Sequence, residues 1–108
     1  MTYKPIIAVD FDDTLSIDGK WPEVGEPNLD LINYLLEAQS KGWSVVLWTC
    51  REGVELDMAI AFCKRYGLTF DSINENPSHV SWKSRKVVAN MYIDDRAVHI
   101  EDYRRIRL

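Results

Sequence analysis

A run of apolar, largely β-branched residues that ends in acid, PIIAVDFDDTL at residues 5–15, constrains this chain more than any other feature. Ile6–Asp10 reads as a buried strand, because a parallel sheet covered on both faces requires continuous rather than alternating apolar residues. The strand runs straight into Asp10, Asp12 and Asp13. Carboxylates this close repel one another, so the arrangement is stable when a cation neutralises it.

The rest of the chain repeats the strand–helix alternation. Residues 16–28, SIDGKWPEVGEPN, hold two glycines and two prolines and form an irregular loop or small hairpin. Asn28 is placed to cap a helix from Leu29 to about Lys41, along which Leu31, Ile32, Leu35 and Leu36 recur at helical spacing and after which Gly42 is the stop. SVVLWT (Ser44–Thr49) reads as a second buried strand, followed by a helix from about Val54 to Tyr66 that Gly67 ends. Phe70–Ile73 fits a short strand, residues 75–86 are turn-like, and Val87–Asp94 fits a fourth strand. The tail, RAVHIEDYRRIRL, fits a short strand or a helix equally.

Strands alternating with helices of about 12 residues imply an α/β fold: a three-layer Rossmann-like sandwich on a mostly parallel central sheet. At 108 residues the whole chain is expected to be one domain. Such sheets bind ligands beyond the carboxyl ends of their strands. Asp10, Thr49 and the pair Asp94–Asp95 all fall at strand ends, so three strands deliver polar groups to one rim.

Composition narrows the function classes. A net charge of −4 gives no support for a nucleic-acid scaffold, so a phosphate-bearing ligand must be held by local features. Two cysteines are too few for a disulfide framework, and no segment approaches the roughly 18 apolar residues of a membrane span. A cytoplasmic protein with no membrane partner is the expectation; oligomeric state is left open.

At the rim, Asp10, Asp12 and Asp94 or Asp95 offer hard oxygen ligands in the number that Mg²⁺ prefers, with positions left for water and a substrate oxygen. Thr49 adds a hydroxyl, and Lys86 or Lys83 adds a compact cation suited to phosphate oxygens. DFDDTL could also be a solvated turn, but such a turn rarely follows a continuous buried strand.

Taken together, these residues resemble the haloacid dehalogenase (HAD) superfamily of phosphohydrolases. DFDDTL matches its DxDx[TV] signature, VVLWT its second motif, a lysine upstream of the acidic pair its third, and IDDR its fourth. WTCREG, FDSINEN and MYIDDRA look closer still to small HAD-like hydrolases of bacteria and phages that lack a cap domain. The resemblance implies a Mg²⁺-dependent phosphatase with Asp10 as nucleophile, forming an aspartyl-phosphate, and Asp12 as general acid and then base. Thr49 and Lys86 would hold the phosphoryl oxygens. Asp10, Asp94, the backbone carbonyl of Asp12 and, directly or through water, Asp95 would hold the metal. Lys83 competes with Lys86, and Asp13 carries no implied role.

Arg51, in a TxR arrangement with Thr49, fits either a substrate phosphate or a pairing with Glu52 or Glu55. Trp21, in the loop after the first motif, fits a lid over the rim or a packing anchor. Cys50, Cys63, Trp43, Trp48 and Trp82 read as packing residues, His79 and His99 lack ligand spacing, and RRIR reads as a solvated face. The loop at 16–28 is too short for a cap, and an open rim favours a bulky phosphorylated substrate such as a polynucleotide end or a phosphoprotein. A nucleotide or other small ester, or a receiver-like phosphoacceptor module, are the alternatives. Asp12 separates the last of these, since a receiver needs no built-in acid.

Overall fold

The computed structural model describes residues 4–81 and 83–108. In chain order the elements are β1 (Ile6–Val9), β2 (Ser16–Ile17), β3 (Glu26–Pro27), α1 (Leu29–Ser40), β4 (Ser44–Leu47), α2 (Gly53–Arg65), β5 (Ser72–Ile73) and β6 (Met91–Ile93), followed by a 3-10 turn at Tyr103–Arg105. Four of the strands form one sheet in the order β5-β4-β1-β6, and every pairing in it is parallel. The expected α/β class with a Rossmann-like parallel sheet is what the chain adopts.

Strand β1 has parallel neighbours on both sides and is buried along its whole length, as its unbroken apolar run requires. Its residues alternate between two cores. Ile7 and Val9 join Val45 and Leu47 of β4 against Ile32, Leu35 and Ala38 of α1 and Ala59, Phe62 and Cys63 of α2. Ile6 and Ala8 join Val46 on the other face, where Val87, Val80, Ala89 and Trp48 cover them. Both helices therefore contribute to one core, and on the other face Val80 and the segment Val87–Ala89 cover the sheet from outside any helix.

That segment corrects one expected boundary. The last strand was expected over Val87–Asp94 but spans only Met91–Ile93. Side chains take up the backbone groups just before it: Val88 N–H donates to Asn76 Oδ1 at 2.7 Å, and Ala89 N–H to Tyr92 Oη at 3.2 Å. Asn90 pairs with Ile6 like one further rung of the ladder, through its own N–H to the Ile6 carbonyl (2.8 Å) and through its Oδ1, which accepts from Ile6 N–H (3.0 Å).

The other boundaries lie within a few residues of the sequence reading. β4 stops two residues before Thr49, β5 is limited to Ser72–Ile73, and the tail forms only the 3-10 turn. Gly42 and Gly67 end the two helices with left-handed φ values of 94° and 86°. Residues 16–28 form a small antiparallel hairpin of β2 and β3. Trp82, expected to pack, lies outside the described residues.

Asn28 ties this hairpin to the first motif and to α1. Its Oδ1 accepts from Leu31 N–H at 3.2 Å as the helix cap, while its Nδ2 donates to the Thr14 carbonyl at 2.9 Å. Asn28→Ala should lower stability by about 1–2 kcal/mol, read as a reduced denaturation midpoint at unchanged m-value. A loss of less than a few tenths would mean that neither bond contributes.

Candidate functional site

Four strand ends converge on one rim. Asp10 follows β1, its N–H donating to the Ile93 carbonyl at 2.9 Å, which fixes it beside the end of β6 and Asp94–Asp95. Trp48 follows β4 with its N–H on the Val9 carbonyl, and Asn74 follows β5 with its N–H on the Leu47 carbonyl. Asn74 Oδ1 accepts from Thr49 N–H at 2.8 Å, so the second-motif threonine is positioned from the neighbouring strand. Sequence reasoning passed over Asn74; its signal was an asparagine closing the short strand expected at Phe70–Ile73, at a left-handed φ of 53° that asparagine tolerates.

Beyond β1 the chain turns tightly. The Phe11 carbonyl accepts from the N–H groups of Thr14, Leu15 and Ser16. Phe11 is fully buried and meets Phe62 edge-on, with ring centroids 5.5 Å apart. Asp10 and Asp12, on either side of it, line the rim cavity together with exposed Asp13, which had been given no role.

Carboxylate oxygens of Asp10, Asp94 and Asp95 lie within 4.8 Å of one another. Such a group of hard, anionic donors fits a divalent cation of the Mg²⁺ type. Asp94 is also braced locally, its Oδ1 accepting from Arg96 N–H at 2.7 Å. The Asp10 carboxyl is pushed up to about 6: burial is the largest cause, and repulsion from Asp94, Asp95 and Asp12 adds to it against a lowering hydrogen bond at Phe11.

The Asp12 carboxylate is engaged elsewhere. Both its oxygens accept from Arg51, Oδ2 from Nε at 2.9 Å and Oδ1 from Nη2 at 2.8 Å. Arg51 Nη1 donates to the carbonyls of Pro22 (2.9 Å) and Glu55 (3.1 Å). The guanidinium is stacked between the rings of Phe11 and Trp21, at 5.0 and 4.7 Å from their centroids. Its side chain is 0% exposed. Both sequence readings of Arg51 are thereby corrected: it meets neither the cavity nor a Glu52 or Glu55 carboxylate, because Asp12 and the carbonyls already hold its donors.

The lysines also differ from expectation. Lys86 Nζ lies 5.4 Å from the Tyr92 ring centroid and is not among the residues lining the rim cavity, while Lys83 lines a separate polar cavity with Asp71, Ser72 and Ser84. Among the described residues, Arg96 is the cation that lines the rim cavity. Thr49 does line it, and its Oγ1 accepts from Arg51 N–H at 3.1 Å, which leaves the hydroxyl proton free to donate.

Trp21 both anchors Arg51 and lines the cavity, so the two readings of it combine. Cys50 is exposed at the cavity rather than packed, whereas Cys63 is buried and its thiol is pushed up to about 12 by that burial. Trp43 packs against the helical core. His79 and His99 lie outside the acidic group, and Arg104, Arg105 and Arg107 are exposed.

Fold and site together define a Rossmann-like α/β protein with a carboxylate-lined cavity at the carboxyl ends of its strands. No protein-family model matches the chain, and no curated protein matches it. Among solved structures, a conserved protein from Bacteroides thetaiotaomicron superposes with a TM-score of 0.78 at 37% identity, over 89% of this chain and 79% of that one. The chain belongs to the same family as that protein. No helix among the described residues is long and apolar enough to cross a membrane.

The raised Asp10 carboxyl has a defined pH signature. Below its unfolded value of 3.8 both states are protonated and no penalty exists; between 3.8 and about 6 the unfolded chain ionises first, and above that the folded state carries the full penalty. Half-exposure screens this to about 1–2 kcal/mol. In chelator, Asp10→Asn should melt with wild type near pH 4 and several degrees above it beyond about pH 7. Added Mg²⁺ should raise the wild-type midpoint more than that of the variant, which keeps Asp94, Asp95 and an amide oxygen as ligands. A difference between the two proteins that stays constant with pH would place the cause away from Asp10.

Proposed function

We propose that this protein is a Mg²⁺-dependent phosphomonoesterase of the HAD type, working in the cytoplasm with Asp10 as nucleophile. One observation carries the reading: a half-buried strand-end carboxylate converges with Asp94 and Asp95 to within 4.8 Å, and a second carboxylate follows two residues later. The first, second and fourth motifs of the sequence support it, and the two free cysteines suit a reducing compartment.

In the forward step an Asp10 oxygen attacks phosphorus in line with the ester oxygen. The P–O bond breaks, and the leaving alkoxide takes a proton from Asp12. Water then attacks the aspartyl-phosphate, gives its proton back to Asp12, and leaves inorganic phosphate and free Asp10. The Thr49 hydroxyl donates to a phosphoryl oxygen and so favours the charge that develops there. When bound by Asp10, Asp94 and Asp95, Mg²⁺ supplies the positive charge that lets one anion approach another.

Arg51 acts in this scheme through Asp12. Both Asp12 oxygens accept from Arg51, so Asp12 serves as the acid only after it turns out of the bidentate pair and takes up a proton from solvent. This resting pairing also favours a second reading, a phosphoacceptor in which phospho-Asp10 persists because water is not activated.

Release of inorganic phosphate from an aryl phosphate should require Mg²⁺ and vanish in Asp10→Asn. Asp12→Asn should slow turnover by about 10²–10⁴-fold and let phosphoprotein accumulate. Equal turnover by Asp10→Asn, or none by wild type across a broad phosphoester panel, sinks the phosphatase reading. Persistent wild-type phosphoprotein would favour the phosphoacceptor.

A further inference from the structure

The rim cavity, about 670 Å³ in volume, lies within the range of about 300–1,000 Å³ typical of small-molecule sites. Its lining sets five aspartates (Asp10, Asp12, Asp13, Asp94 and Asp95) against one arginine, Arg96, and adds the indoles of Trp21 and Trp48. Arg51 offers it no charge, being fully enclosed.

This charge balance is selective. One phosphoryl group can be neutralised at the Asp10–Asp94–Asp95 group by a divalent ion. Further phosphates, on a triphosphate chain or a polynucleotide, would face uncompensated carboxylates, and among the described residues no lysine lines the cavity to receive them. The polynucleotide end expected from rim openness is therefore disfavoured by rim chemistry.

Trp21 supplies the other half. It is 64% exposed although its ring stacks on the Arg51 guanidinium. Its position is built rather than adventitious. Arg51 Nη1 holds the carbonyl of the next residue, Pro22, at 2.9 Å. Ser16 Oγ accepts from Gly25 N–H at 2.7 Å across the hairpin, and a Cβ on Gly25 would collide with the Ile17 carbonyl oxygen. An indole held this firmly, with much of its surface open beside a phosphoryl-sized acidic site, is a preorganised platform for a planar ring.

We propose that the cavity selects nucleoside monophosphates, with the base stacked on Trp21 and the single phosphoryl group at the Asp10–Asp94–Asp95 group. The phosphoryl half rests on the phosphomonoesterase reading; the ring half does not.

The test is equilibrium binding to full-length Asp10→Asn protein in MgCl₂, with adenosine monophosphate, ribose 5-phosphate, adenosine triphosphate and adenosine as probes. The monophosphate should bind about tenfold or more tightly than ribose 5-phosphate, as stacking of one base provides, and more tightly than the triphosphate. Trp21→Ala on the same background should bring the monophosphate-to-ribose-phosphate ratio close to one, and Trp21→Phe, which keeps a ring and guards against a misfolded flap, should restore most of it. Equal affinity for the monophosphate and ribose 5-phosphate, a triphosphate bound as tightly as the monophosphate, or no binding of any probe overturns the proposal. Should wild type release no phosphate from any ester, the phosphatase reading fails separately. Weak adenosine binding that Trp21→Ala abolishes would then still support the ring platform.

Discussion

A buried guanidinium governs the geometry of this protein. Arg51 joins three segments distant in sequence: the loop after β1 through Asp12, the hairpin through Pro22 and Trp21, and the start of α2 through the Glu55 carbonyl. Removing a charge from water costs several kcal/mol unless its donors are met and its charge is opposed. Here the opposing charge is Asp12, which keeps 42% of its side chain exposed, so one partner stays anchored in protein while the other faces the cavity. The hairpin is thus tied to the rim by a cation as well as by Val24, which packs against the core.

The same economy of space explains the crowded carboxylates. A central strand with neighbours on both sides leaves its terminal residue half-buried between two other strand ends, and desolvation raises Asp10 before any neighbour is counted. Asp94 and Asp95 reach it because β6 is adjacent to β1 rather than across the sheet. Among the described residues this is the one group of carboxylates with metal-like convergence. If the group takes up the proposed cation, that ion would relieve the same repulsion that, after burial, raises Asp10.

Much of this was legible in the sequence because it depends on local periodicity. The apolar runs of β1 and β4, the Asn28 cap and the two glycine stops each follow from residues a few positions apart, and strand ends then locate Asp10, Thr49, Asp94 and Asp95. Long-range side-chain bonding was not legible. Arg51 has acidic neighbours at Glu52 and Glu55, yet Asp12, 39 residues away, takes its fork, because the fold sets Asp12 against the Nε–Nη2 edge of the buried guanidinium. Lys86 stands close in sequence to the last strand, but Asn76 and Tyr92 hold residues 87–89 in an irregular path beneath the sheet, and the lysine ends near the Tyr92 ring. Side-chain-satisfied backbone leaves no period to read.

One consequence joins the cavity's two halves. Trp21 and Asp12 both contact one guanidinium, the indole on its face and the carboxylate at its edge. A planar ring covering Trp21 would exclude water from that neighbourhood and strengthen every charge interaction within it. A phosphate ester arriving beside Asp10 would meanwhile offer Asp12, once it has left the guanidinium and taken up a proton, a leaving-group oxygen to protonate. In the proposed reaction, ring recognition and proton delivery would bear on the same residue from opposite sides, and the position of Arg51 would couple what the cavity holds to the release of Asp12. A lysine at residue 51 could carry the charge, but its single ammonium lacks the planar fork that grips both carboxylate oxygens and stacks on two rings at once.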